Sequence, residues 1–62
     1  MCEFTVLLGE EVVARKVIKA RIRDGVLMLS DTSGTKTVLK EVSIVGVDTI
    51  MAELTLRRNE GH

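Results

Sequence analysis

The chain has no proline, no tryptophan and no tyrosine, and it has a single phenylalanine (Phe4), a single cysteine (Cys2) and a single histidine (His62). Each scarcity removes a class of explanation. One cysteine cannot form a disulfide within the chain, nor supply a thiolate-rich zinc tetrahedron. One histidine, at the last position of the sequence, offers no serine–histidine pairing inside an ordered core. The five glycines form no phosphate-binding loop. A single aromatic ring provides no stacking platform for unpaired bases. No run approaches the roughly 18 apolar residues of a membrane-spanning helix. Nine Lys and Arg balance nine Asp and Glu, so no net field draws the chain toward polyanions or anionic membranes. Eight of the nine carboxylates stand at expected loop ends (Glu3, Glu10, Glu11, Asp24, Asp31, Glu41, Asp48, Glu53) and read as solvated turn charges. No catalytic constellation emerges, and the chain is not expected to be an enzyme.

Sixty-two residues with an apolar fraction of 45% specify one globular domain with a marginal core. A chain of this length buries only about 60% of the surface its unfolded form exposes. Small domains offset that deficit with disulfides, a metal or self-association, and the first is excluded here. The opening "MCEFTVLL" lacks a basic start and is followed closely by Glu10 and Glu11, so no leader is expected. A chain without disulfides is at home in a reducing compartment, which makes the expected location cytoplasmic.

Hydropathy alternates with a period of two through most of the sequence, which predicts an all-β fold. "EFTVLL" (3–8) puts Phe4, Val6 and Leu8 on one face. "GEE" (9–11) turns the chain. "VIKARIR" (17–23) puts Ile18, Ala20 and Ile22 on one face and Lys19, Arg21 and Arg23 on the other. Asp24–Gly25 has the composition of a hairpin turn that needs positive φ at both central positions. "VLMLS" (26–30), "KTVLK" (36–40), "VSIVGVD" (42–48) and "ELTLR" (53–57) complete the strand set. Gly34 suits a left-handed loop position, and Gly46 suggests a bulge inside a strand. A helical turn around Val12 to Lys16 is the one local competitor. The expected architecture is a small antiparallel barrel or two packed meanders of about six to seven short strands. Residues 1–57 form the single β domain and 58–62 a polar C-terminal tail.

Several strands are apolar on both faces. Val26 and Met28 oppose Leu27 and Leu29; Ile44 opposes Val45 and Val47; Leu7 opposes Val6 and Leu8. One small chain cannot cover all of these positions, so a homodimer is expected.

The chemistry that remains is at Cys2. A thiol in this position can act with the chain's terminal nitrogen atoms: with the Cys2 amine if Met1 is removed, or with the Met1 backbone amine and the Cys2 amide if Met1 is retained. Either set forms small chelate rings with nitrogen and soft sulfur donors in a near-planar array. Nickel(II) and copper(II) take such sites, whereas zinc would need four side-chain ligands that this sequence does not have. A twofold dimer bringing two termini together would complete the donor set.

The start "MCE", the strand "TVLL", the run "VIKARIRDGVLMLSDTSGTKTVL" and the close "SIVGVDTIMAELTLRR" together resemble the CooT-type small nickel-binding proteins of bacteria and archaea, a family formerly carried as predicted RNA-binding proteins. The "MCE" start is the most specific part of the match. The loop "DTSG" (31–34) departs from the pattern, which places a hydrophobic or aromatic residue before the glycine. The resemblance implies a small all-β homodimer that binds nickel(II) near paired N-termini, with the Cys2 thiolate as ligand, and serves nickel handling or the maturation of a nickel-enzyme client. Two alternatives come from other classes. One is an RNA-binding β module using Lys19, Arg21 and Arg23, which the zero net charge and the single aromatic disfavour. The other is a structural or partner-binding domain without metal. His62 is a lesser candidate as an additional ligand.

Overall fold

The structure, a computed structural model, describes residues 2–59. Its first strand, β1 (Phe4–Leu8), is followed by β2 (Glu11–Arg23), β3 (Val26–Asp31), β4 (Lys36–Lys40), β5 (Val42–Asp48) and β6 (Glu53–Arg58). The all-β expectation holds, with six strands and no helix among the described residues. All six lie in one sheet in the order β4-β3-β2-β1-β6-β5. The sheet does not close into a barrel. Nor is it wholly antiparallel, because β1 runs parallel to β6, with Val6 opposite Leu54 and Leu8 opposite Leu56. The expected antiparallel barrel is therefore corrected to an open mixed sheet. Strands β1 to β4 form a meander, and the β5–β6 hairpin is joined to it along β1.

The turns follow from the residues that make them. Asp24 and Gly25 both take positive φ, at 52° and 76°, the twisted geometry a two-residue hairpin needs. In the β3–β4 loop, the Asp31 carboxylate accepts hydrogen bonds from the Ser33 hydroxyl at 2.7 Å and from the Ser33 and Thr35 amides at 2.9 Å each. Gly34 completes that loop with φ at 88°. Strands β4 and β5 occupy opposite edges of the sheet, yet only Glu41 separates them. Glu41 turns this corner in the left-handed region, at φ 58°. The Asn59 amide, just past the end of β6, braces it by donating to the Glu41 carbonyl at 2.8 Å.

Strand β2 is continuous from Glu11 to Arg23, so the segment Val12 to Lys16 is strand and not a helical turn. It reaches that length by bulging. Its register against β1 slips between Phe4 and Val6 and again between Val6 and Leu7, and its register against β3 slips between Val17 and Lys19. Lys16 sits at φ 57° within this irregular stretch. Bulges bend a strand and increase its twist. The bends let one half of β2 pair with β1 and the other half with β3.

Val6, Val17, Leu27, Leu29, Val42, Leu54 and Leu56 form the buried core. They come from β1, β2, β3, β5 and β6 and pack together as one cluster. Phe4, Leu8, Val13, Ala14 and Leu39 pack around them. Strand β6 runs through Arg58, one residue into the segment read as tail. Residues 60–62 lie outside the described residues. No described helix is long and apolar enough to cross a membrane.

Candidate metal site at the start of β1

Cys2 is exposed and stands two residues before β1 begins. The sheet defines what surrounds that end. Phe4 pairs with Val17 on β2, and Thr5 is registered with Glu53 on β6. The Thr5 amide also donates to the Ala52 carbonyl at 2.9 Å, which ties the β5–β6 loop to the start of β1. The same loop is shaped by Asp48, whose carboxylate accepts from the Ile50 amide at 3.0 Å and the Met51 amide at 2.9 Å. Ile50 and Met51 project from it with 92% and 65% of their surface exposed.

An open, almost wholly apolar groove of about 290 Å³ adjoins this end, lined by Phe4, Val17, Ile18, Ala20, Ile44, Val47 and Leu54 together with Lys19. The core residues Val17 and Leu54 line it, and Ile18, Ile44 and Val47 are its exposed members. Here the alternation expected from the sequence is corrected. Ile44 is opposite Leu56 and Val47 opposite Leu54, with a register shift between Ile44 and Gly46. The bulge anticipated at Gly46 uses up one residue, so Ile44 and Val47 share a face that strict alternation would divide. On β2 the bulge skips Ile18, so Val17, which strict alternation would put with Lys19, lines the groove beside Ile18 and Ala20.

Among the described residues, no group of three or more His, Cys, Asp and Glu side chains could hold a metal ion. A metal at Cys2 therefore needs further donors from backbone nitrogen, the chain terminus or a second chain. Donor chemistry of that kind fits the thiol and nitrogen set expected from the sequence. Met1 and His62, the other two expected contributors, lie outside the described residues.

Lys19, Arg21 and Arg23 are exposed on one face of β2, as their spacing predicts. The register extends this stripe across two more strands. Arg23 is opposite Val26, and Val26 opposite Lys40; Lys19 is opposite Ser30, and Ser30 opposite Lys36. Lys36 and Lys40 were not singled out by sequence reasoning. Their signal lay in "KTVLK", whose two lysines stand four residues apart and therefore on one face of a strand.

No protein-family model matches the chain, and no curated protein matches it.

Proposed function

We propose that this protein is a nickel(II)-binding accessory protein, not an enzyme, that carries the metal at the Cys2 thiolate of a homodimer, in the manner of the CooT-type proteins it resembles. The observation that carries this reading is the position of an exposed thiol two residues from Phe4, which lines an uncovered apolar groove. Thiolate and backbone or terminal nitrogen donors suit nickel(II). One chain supplies too few donors by itself. Two chains packed groove to groove would cover Ile18, Ile44 and Val47 and bring both N-terminal segments to one seam. The Met1 amine, if the residue is retained, would join the set. The metal is then cargo for a nickel-enzyme client in the cytoplasm.

Calorimetric titration with nickel(II) tests this reading. Wild type should bind one metal per two chains and release protons, because a thiol binds metal only after losing its proton. Affinity should fall between about pH 8 and about pH 6 for the same reason. Acetylating the terminus should weaken binding nearly as much as Cys2→Ser, and deleting His62 should change little. Loss of binding on deleting His62, with Cys2→Ser unaffected, would place the site elsewhere.

A further inference from the structure

The sheet's outer face over β2, β3 and β4 carries nine side-chain positions in three registered rows. They are Arg23–Val26–Lys40, Arg21–Met28–Val38 and Lys19–Ser30–Lys36. Five of the nine are cations, and none is acidic. The chain's zero net charge thus conceals a segregation made by folding. Asp24 and Glu41 stand in connections at one end of these strands, and the Asp31 carboxylate is turned into its own loop by Ser33 and Thr35. Along β2 the cations recur about every 6.8 Å, and the β4 lysines run parallel to them about 10 Å away across two strand spacings. Between these rows lies a shallow depression of about 180 Å³, lined by Lys19, Arg21, Met28, Ser30 and Lys36. Met28, in its lining, is partly exposed, and so is Val38 opposite it on β4.

We infer that this face binds the phosphodiester backbone of a single-stranded polynucleotide, without sequence preference. The cations are spread at regular intervals and do not converge on one point, which fits a repeating polyanion better than a single small oxyanion. The β2 interval is of the same order as the phosphate spacing of an extended single strand. Bases lying over Met28 and Val38, or against the Arg21 guanidinium, would add sequence-tolerant contact without an aromatic platform. An anionic membrane fits less well: the most exposed apolar tip, Ile50–Met51, is flanked by Asp48 and Glu53, of the wrong sign for anionic lipid. This inference uses no residue of the Cys2 segment and shares only Lys19 with the groove proposed as the dimer seam.

Fluorescence anisotropy with labelled oligouridylate and oligodeoxythymidylate tests it on the full chain. Binding should be weak, with Kd on the order of 10⁻⁵ M, and log K should fall linearly with log salt at about 0.7 per phosphate neutralised. Arg21→Gln with Lys36→Gln should weaken binding about tenfold and lower the salt slope by roughly 1.4. Arg57→Gln with Arg58→Gln removes the same net charge from β6 and should leave both nearly unchanged. Circular dichroism would confirm that both variants keep the strand signal. Equal losses in the two variants would overturn the inference, as would binding to phosphatidylserine vesicles or polyglutamate that exceeds binding to the oligonucleotides at the same salt.

Discussion

Thr5 and Ala52 are joined by a backbone hydrogen bond of 2.9 Å, and this one link places the chain's start beside its most exposed apolar loop. Cys2 lies just before Thr5, and Ile50 and Met51 lie just before Ala52. The groove walled by Phe4, Ile44, Val47 and Leu54 opens at the same end. The thiol and the uncovered apolar surface are therefore neighbours in the fold, although some 50 residues separate them in sequence.

That proximity leads to an expected dimer. Sedimentation equilibrium at micromolar concentration should report twice the 6.8 kDa chain mass. Val47 is 60% exposed in the single chain, so Val47→Lys should leave the fold intact and shift the population to monomer. A wild-type chain that sediments as a stable monomer would remove the shared site.

The core is small enough for single truncations to be decisive. Leu27, Leu29 and Leu56 are each 1% exposed. Replacing a fully buried leucine by alanine costs about 2–5 kcal/mol, a large part of the stability of any small domain. Leu56→Ala should therefore unfold at much lower urea than wild type. Ile50→Ala, at the exposed loop tip, should shift the midpoint by about 0.5 kcal/mol or less.

Two glycines should respond in opposite directions. Gly25 has φ at 76°, where a Cβ strains the backbone, and Gly25→Ala should destabilise by about 1–2 kcal/mol. Gly46 lies outside the positive-φ region, and an added Cβ there meets nothing within 4 Å. Gly46→Ala should be neutral or stabilising by up to about 1 kcal/mol, through the unfolded chain's lost freedom. Thermal melts of the two variants distinguish these signs.

Those glycines also mark what the sequence makes legible. Turn chemistry is local, so Asp24–Gly25, Gly34 and the Gly46 bulge can be read from a few residues. The six strands follow from alternation. The parallel pairing of β1 with β6 has no local signal, because no turn connects them, and so an antiparallel barrel was the natural expectation. Bulges defeat alternation for a related reason. Each shifts the side chains beyond it to the other face: the one that skips Val45 puts Ile44 and Val47 on one side, and the one that skips Ile18 puts Val17 on the side of Ala20. The cationic face was half legible: the β2 stripe is visible as a pattern, but the β4 lysines join it only through pairing with β3.

The β3–β4 loop gives a pH prediction. The Ser33 hydroxyl holds the Asp31 carboxyl below its ordinary value of 3.8, helped by the amides of Thr35, Ser33 and Gly34. A carboxyl whose folded-state value is depressed binds protons more weakly folded than unfolded. Its stabilising effect is complete above the unfolded value and is lost as pH falls through the folded one. Wild type should therefore lose stability below about pH 4, and Asp31→Ala should flatten that part of the curve while lowering stability at neutral pH. An NMR titration in which the Asp31 carboxyl ionises at or above its ordinary value would contradict this.

Near-ultraviolet absorption during nickel(II) titration bears most directly on the central claim. A Cys2 thiolate bound to nickel should give a sulfur-to-metal charge-transfer band that grows to saturation at one metal per two chains. Cys2→Ser should show no such band and much weaker binding. Nickel(II) binding of unchanged affinity in Cys2→Ser, or saturation of wild type without the band, would contradict the account.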